Sequence, residues 1–397
     1  MPEQHWRARV LGDIAGPAEA VPPPVPAPAP VPAPSAPPTA PPGPAYPPRA
    51  AYPSGPAYPS GPAYPPPGPR PAPAPAPAGP LPTPRRGPAP ELAPAHPAAG
   101  RVRHGDSASR RATAAVRRMV GTPAEDRALV SAVAGVQVPV TTGRRIAVVS
   151  ARGGSGKSTV AALLGLVYAA RRRDRALALD AELNLGSLAW RLGIPPGVTL
   201  ADVGPPVLTG RLAAGDQIER AVPRHPGGLW VLPGPPPESA AGIPPTGPLE
   251  CARVLSRHFG VTVIDCGAGL SSRTNLAVLA DAHAVLLVTH ATIDGVRSLE
   301  LGLRQLGASL DGFGGRAVAV LVSMNPRTEG LDLTAAQAAL APYAADVIRL
   351  PYDRHLAAGG SIQPDQLAAT STVLATVLAA AALRLSLPDR SQWQRAR

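Results

Sequence analysis

From residue 144 onward, short apolar runs rich in β-branched residues alternate with stretches whose apolar positions recur at helical spacing. This alternation is typical of βαβ units, in which helices connect parallel strands. Several runs are apolar throughout, as expected for strands covered on both faces, and the pattern predicts an α/β fold with a mostly parallel sheet between helical layers. The predicted strands are 145–150, 176–180, 229–232, 261–265, 284–289, 317–323 and 347–350, and the predicted helices are 157–172, 248–258, 293–306 and 364–385.

The N-terminal part of the chain lacks this pattern. Of the 56 prolines, 35 fall between residues 17 and 98, a stretch with few large apolar side chains. Such a segment cannot bury enough surface to offset its ordering entropy. The sequence therefore predicts a disordered tail over 1–100, a basic and partly helical connector over 101–143, and a folded domain over 144–397.

Within the tail, an Ala-Tyr-Pro phrase recurs every six residues and places four tyrosines in equivalent positions, at Tyr46, Tyr52, Tyr58 and Tyr64. Polyproline II has three residues per turn, so the four rings would share one face. This favours either a docking strip for an aromatic-lined groove or a low-complexity spacer.

The formal net charge is +12, with one local concentration of arginines from Arg101 to Arg118. Such a run is either a solvated linker or a contact for an anionic surface. The two cysteines, Cys251 and Cys266, fit no metal-ligand spacing, which favours a reduced, cytoplasmic compartment. The N-terminus does not resemble a signal peptide, and no uninterrupted apolar run appears long enough to cross a bilayer.

One phrase carries recognisable chemistry. The apolar run Ile146 to Ser150 leads into Gly153-Gly-Ser155-Gly-Lys-Ser-Thr159, which opens a predicted helix. A strand, a glycine-rich loop and a helix start form a phosphate-binding loop, or P-loop, in which amides and the helix dipole surround the phosphates. The residues predicted to bind nucleotide are Gly153, Gly154, Ser155, Gly156, Lys157, Ser158 and Thr159.

Three of these positions have distinct predicted roles. Lys157 is the only lysine among 38 basic residues, and we expect its ammonium group to reach the β and γ phosphates. Ser158 supplies a hydroxyl for Mg²⁺, and Thr159 lies near the α phosphate.

Two carboxylates end predicted strands, at the edge where open α/β sheets bind ligands. Asp265 precedes Gly267 and Gly269, so it is predicted to hold the Mg²⁺ water shell beside a loop free to respond to the γ phosphate. Asp180 ends the predicted strand 176–180 and is a second candidate for metal binding and catalysis. An isolated strand-end Asp is often only a turn or cap residue, but two of them behind a P-loop favour the functional interpretation.

On these residues, 144–385 resemble the MinD/ParA group of deviant Walker P-loop NTPases, whose loop reads Lys-Gly-Gly-x-Gly-Lys-[Thr/Ser]. The resemblance implies ATP and Mg²⁺ as cofactors, ATPase activity and an ATP-dependent homodimer. Arg152 stands where the group has the lysine that reaches the partner's nucleotide. Glu182, in Asp180-Ala-Glu182, stands where the group has the Asp that orients the attacking water; a misplacement of about 1 Å can cost roughly a hundredfold in rate, so slow turnover is expected. Asn325 matches an adenine-contacting Asn, and Pro351 opens the matching Pro-x-Asp element.

The layout of tail, basic connector and ATPase domain further resembles the EspI-like ATPases of actinobacterial type VII secretion loci. This resemblance implies a cytoplasmic switch, also able to lie at the membrane periphery, whose tail tethers a secretion-system partner. Two alternatives stay open. One is a partitioning or division-site positioning ATPase that binds nucleoid DNA or membrane through charge. The other is a scaffold that senses nucleotide without hydrolysing it.

Overall fold

The computed structural model describes residues 103–109, 111, 123–326 and 330–388. The predicted disordered tail over 1–100, with its tyrosine repeat, lies outside these residues, as do part of the arginine-rich stretch 101–118 and the C-terminal residues 389–397.

Seven strands form one sheet in the described chain, and each strand predicted from sequence is found within two residues of its expected start and within three of its expected end. Every strand pair in the sheet is parallel. The strands are β1 (Arg144–Ser150), β2 (Ala176–Asp180), β3 (Trp230–Leu232), β4 (Val261–Ala268), β5 (Ala284–His290), β6 (Ala317–Val322) and β7 (Asp346–Leu350).

Strand order places β1 at the centre of the sheet. The order is β3-β2-β4-β1-β5-β6-β7, so β1 pairs with β4 on one side and with β5 on the other. The chain therefore changes direction across the sheet next to β1. In open α/β sheets, ligands bind beyond the carboxyl ends of the strands at such a switch point.

Helices cover both faces of this sheet. They are α1 (Pro123–Val136), α2 (Lys157–Arg171), α3 (Leu188–Arg191), α4 (Leu200–Leu208), α5 (Gly215–Ala221), α6 (Pro237–Ala240), α7 (Gly247–Leu255), α8 (Arg273–Asp281), α9 (Ile293–Ser309), α10 (Leu333–Leu340), α11 (Arg354–Ala357) and α12 (Ala369–Ser386).

Alternation along β1 divides the core between the two faces. Ile146 and Val148 pack with α1, α2, α3 and α12, whereas Ala147 and Val149 pack on the opposite face with α4, α7, α8 and α9. Successive side chains of a strand point to opposite faces, so a strand covered on both sides must be apolar at every position.

The predicted helix 364–385 is in fact two elements. Pro364–Gln366 forms a 3₁₀ turn, and α12 begins only at Ala369. Leu367 and Ala368 between them are extended, and the Ala368 amide donates to the Asp353 carboxylate at 2.9 Å. A tertiary contact therefore sets where α12 begins.

Helix α12 differs from the expectation that no apolar segment is long enough to cross a bilayer. Its 18 residues have a hydropathy of 1.5 and are long and apolar enough to cross a membrane, by length and composition only. In this fold the helix packs against α1, α2 and the sheet, and 56% of it is buried. A buried core helix meets the same length and composition criteria.

Candidate functional site

The predicted P-loop connects the end of β1 to the start of α2. Gly154 and Gly156 have φ angles of 76° and 93°, in the left-handed region that favours glycine. Gly156 is the N-cap of α2, and no side chain caps the helix. The first amides of α2 are thus left for an external acceptor, which is the arrangement that binds phosphate groups.

Neighbouring groups hold this loop in place. The Ser150 hydroxyl donates to the Arg152 carbonyl at 2.6 Å, and His290 Nε2 lies 3.0 Å from the Gly154 carbonyl. The Ser155 hydroxyl is buried and has no hydrogen-bond partner within the described chain. His290 ends β5, and its role was missed at the sequence level because only the parallel pairing of β1 with β5 brings it to the loop.

The two carboxylates predicted to end their strands lie side by side, although only Asp180 ends its strand and β4 continues beyond Asp265 to Ala268. β2 and β4 pair so that Asp180 is opposite Asp265, and each residue is 1% exposed. Asp180 accepts hydrogen bonds from the Glu182 amide at 3.0 Å and from the Leu188 amide at 3.3 Å. Asp265 is bonded by the Ser158 hydroxyl, while its Oδ1 atom is buried without a partner.

Burial dominates the electrostatics of this pair. Burial and the nearby Asp265 hold the pKa of Asp180 well above its usual range. Burial likewise raises the pKa of Asp265 to about 7, although the Ser158 hydrogen bond and the Lys157 charge lower it. Two buried carboxylates beside one ammonium group lack enough positive charge, so a cation would stabilise their ionised forms.

The residues present fit Mg²⁺. Asp265 offers an unpartnered carboxylate oxygen, and the Ser158 hydroxyl lies beside it. In the part of the chain that the structure describes, no three His, Cys, Asp or Glu side chains gather into a metal cage. Mg²⁺ is usually bound by one or two protein groups, waters and substrate phosphates, and so requires no such cage.

Glu182 lies against the carboxyl end of β4. A Cβ atom built on Gly267 would come within 2.7 Å of Glu182 Oε2, so Gly267 leaves the space that this carboxylate fills. Glu182 Oε1 accepts from the Asn184 amide at 3.2 Å. The structure thus places Glu182 at the predicted γ-phosphate loop, with one oxygen engaged by its own turn.

Arg152 lies on the exposed side of the P-loop. Its guanidinium pairs with Asp294 in the first turn of α9, and both side chains are mostly exposed. Exposed ion pairs contribute at most about 1 kcal/mol, so Arg152 can leave this pair at little cost.

A cavity of about 340 Å³ extends from the P-loop along one side of α2. Its phosphate end, as we call it, is lined by Gly154, Gly156, Lys157, Ser158 and Thr159. The part of its lining that we call the base end is formed by residues that follow β2 and by residues that end or follow β6 and β7. These are Ser187, Trp190, Arg191, Val322, Ser323, Met324, Leu350, Pro351, Asp353, Leu356, Ala357 and Gly359.

The two sequence-predicted base contacts have different positions. Pro351 lines the base end of the cavity, directly after β7. Asn325 is exposed and follows the lining residues Ser323 and Met324, without lining the cavity itself.

Arg191 fixes the wall of the base end and was missed from sequence. It donates to the carbonyls of Gly360 at 2.7 Å and Leu356 at 3.1 Å, and its own carbonyl accepts from the Ile362 amide at 2.7 Å. Burial lowers the pKa of Arg191 to about 10. The partners lie more than 160 residues away in sequence, so no local pattern indicates them.

Asp353 organises the loop on the same side. Its carboxylate caps α11 through the amides of His355 at 2.8 Å and Leu356 at 3.3 Å, and also accepts from Ala368. The connector segment 103–109 docks beside it. The Gly105 amide donates to the Gln366 carbonyl at 2.7 Å, and Asp106 accepts from the Ala369 amide at 3.1 Å, so Asp106 caps α12 from a distant part of the chain.

With this geometry established, the fold can be compared with solved structures: the chain has the fold of a ParA family P-loop ATPase. A ParA family ATPase from Chlorobium tepidum superposes with a TM-score of 0.50 at 21% identity, covering 62% of this chain and 99% of that one. No protein-family model matches the chain.

The chain also resembles known proteins in sequence. The ESX-1 secretion-associated protein EspI of Mycobacterium tuberculosis is 32% identical to this chain over 229 residues. The matched residues make up 56% of this chain. The match spans 34% of the length of EspI. An uncharacterized ATP-binding protein of Methanocaldococcus jannaschii is 29% identical over 153 residues, which is 38% of this chain and 54% of that protein.

Proposed function

We propose that this protein binds Mg·ATP, hydrolyses it slowly and uses it as a dimerisation switch connected with type VII secretion. The observation that carries the proposal is the uncapped start of α2 beneath Gly154 and Gly156, beside Lys157 and the unpartnered oxygen of Asp265. An anion with a divalent cation satisfies every one of these groups at once.

In this proposal the protein groups have separate tasks. The P-loop amides and Lys157 bind the phosphates, and Ser158 and Asp265 hold Mg²⁺, with Asp180 orienting the turn that carries Glu182. The metal, when bound, neutralises charge on the phosphates. Glu182 orients the attacking water from its place against Gly267.

Isothermal calorimetry with Mg·ATP tests the binding step. We expect heat from the wild-type protein and at least about a hundredfold weaker binding by Lys157→Ala, because charge-assisted hydrogen bonds to the phosphates are lost. The control is Arg173→Ala, an exposed cation just beyond the other end of α2. Wild-type protein that gives no heat, or equal affinities in all three proteins, contradicts the proposal.

The dimerisation step has support in the surface around the loop. Leu185, after β2, is 83% exposed, and Ile293, beside the Arg152 partner Asp294, is 67% exposed. Sedimentation velocity should show a dimer with ATP and a monomer with ADP, and Arg152→Ala should weaken the dimer. A protein that stays monomeric with ATP excludes the switch.

The connection with secretion rests on the similarity to EspI, a secretion-associated protein by name. Affinity capture with the full chain and with a chain lacking residues 1–100, each in ATP and in ADP, tests it. We expect the tail to be required for retaining a secretion-system component. Capture that is independent of both tail and nucleotide contradicts the tether.

A non-hydrolysing nucleotide sensor is the second candidate, favoured by the engagement of Glu182 with its own turn. A phosphate-release assay separates the two. Slow turnover that rises in Glu182→Asp supports a hydrolase with a displaced carboxylate, and no turnover in either protein supports the sensor.

The partitioning alternative predicts ATP-dependent binding to DNA or anionic vesicles that falls steeply with salt.

A further inference from the structure

One side chain in the cavity has no part in the phosphate chemistry described so far. Trp190 lies in the short helix α3, ten residues after the buried Asp180, and lines the base end. It is 40% exposed, and its indole N–H donates to the Gly359 carbonyl at 2.9 Å. The ring therefore bridges the segment after β2 and the loop after β7.

The position of Trp190 is set by groups that belong to the site. Asp180 accepts from the amide of Leu188, the first residue of α3, and Arg191 donates to the carbonyls of Leu356 in α11 and Gly360 in the loop after it. Helix α3 is thereby fixed at both ends. The indole is held at one edge by its own hydrogen bond.

The surroundings of Trp190 suit a flat, apolar ligand group. Val322, Met324, Leu350 and Pro351 line the cavity with it, and Met324 is 45% exposed. Among the described residues that line the cavity, Trp190 is the only aromatic one. Ligand cavities are usually apolar and aromatic with a few polar groups, and here the polar groups are gathered at the phosphate end.

We propose that Trp190 forms the aromatic wall against which the nucleotide base packs, and that its bond to Gly359 joins the two walls of the base end. This inference rests on the proposed binding of ATP. Every base has a π face, so such a wall supplies affinity to any nucleotide. Choice between bases is left to the polar edges of the cavity.

A second tryptophan shows what a purely structural role looks like in this chain. Trp230 is 7% exposed in β3, where it packs edge-on against Phe259 with ring centroids 5.7 Å apart. It lies outside the cavity lining. Trp230→Phe is therefore a matched control for loss of an indole away from the nucleotide.

The test compares two probes that share a triphosphate and differ in the base. Mg·ATP and Mg·tripolyphosphate are titrated into the full-length wild type, Trp190→Ala, Trp190→Phe and Trp230→Phe, each checked for folding by circular dichroism. Base stacking is worth about 1–3 kcal/mol, so Trp190→Ala should bind ATP about 5- to 150-fold more weakly. Its affinity for tripolyphosphate should stay within about twofold of wild type, and Trp190→Phe should recover most of the loss.

Each other outcome has a definite meaning. Equal weakening of both probes makes Trp190 a structural residue, and unchanged affinity for both removes the wall; either result overturns the inference. Wild-type protein that binds neither probe refutes the proposed function instead.

Intrinsic fluorescence keeps the inference testable should Trp190→Ala fail to fold. ATP should change the tryptophan emission of wild type and of Trp230→Phe, tripolyphosphate should not, and the change should vanish in Trp190→Phe. An emission change that persists in Trp190→Phe overturns the inference.

Discussion

The two ends of the cavity are built in different ways. The phosphate end comes largely from one continuous stretch, the end of β1, the P-loop and the start of α2, with Asp265 and Asp180 added by neighbouring strands. The base end is assembled from α3 and from the ends of β6 and β7. Both strand ends lie more than 120 residues after α3 in the chain. One end is a local motif, and the other is a tertiary junction.

The two ends also differ in whether their polar groups have partners, and so in whether they serve ligand binding or the stability of the fold. At the phosphate end, polar groups such as Asp265 Oδ1 and the Ser155 hydroxyl lack partners within the described chain, so the end is prepared for a ligand at some cost to the fold. At the base end, the Asp353 carboxylate accepts from protein amides, and the Arg191 guanidinium donates to two carbonyls while its Nε has no partner within the described chain. Changes at the base end should therefore lower stability, whereas neutral changes at the phosphate end should raise it.

The largest effect should come from Asp353→Ala. The substitution removes the cap of α11 and leaves the buried Ala368 amide without an acceptor, so we expect a loss of about 2–4 kcal/mol in unfolding free energy, measured by urea denaturation. Asp332→Ala, which removes an exposed cap of α10, is the control and should cost about 1 kcal/mol. Equal losses in the two variants would mean that the base-end contact to Ala368 contributes nothing.

A gain in stability is expected for Asp265→Asn in the absence of nucleotide. At pH 8 the wild type buries an ionised carboxylate at Asp265. The neutral side chain of Asp265→Asn should raise the unfolding free energy by about 1–2 kcal/mol. The raised pKa of about 7 means that folded Asp265 takes up its proton before the unfolded chain does. The unfolding free energy of the wild type therefore rises as the pH falls through 7. The difference in unfolding free energy between Asp265→Asn and the wild type should shrink toward pH 5.

The same variant should lose the effect of magnesium. Calorimetry with ATP in EDTA and in Mg²⁺ should show tighter binding with Mg²⁺ for the wild type and little difference for Asp265→Asn. If Asp265→Asn is less stable than wild type at pH 8, or keeps the full magnesium effect, the phosphate end is not prepared for a cation.

The smallest effect should come from the connector. Asp106→Ala removes the only side-chain acceptor that the structure gives the Ala369 amide, so thermal or urea denaturation should show a loss of about 1 kcal/mol. Asp365→Ala is the control, since that carboxylate is exposed and, among the residues that the structure describes, accepts only from its neighbour Gln366. A loss no greater than in the control would mean that segment 103–109 does not stabilise the base end.

Several elements escaped prediction for identifiable reasons. Helix α4 contains Pro205 and Pro206, which argue against a helix, although Thr199 and Asp202 form a capping box at its start. Helix α12 begins later than its periodicity suggests because the loop before it is extended toward Asp353. Tertiary contacts override local preference at both places.

The sequence by itself determined the α/β class, the seven strands and the phosphate end, because strand burial and P-loop geometry depend on residues close together in the chain. Apart from Pro351, only the tertiary structure decided the base end. Trp190 and Arg191 have no signature of their own, since their partners lie 165 to 169 residues away and are brought near by the order of strands in the sheet. Side chains that act by meeting distant backbone groups are defined by topology, which a local pattern does not contain.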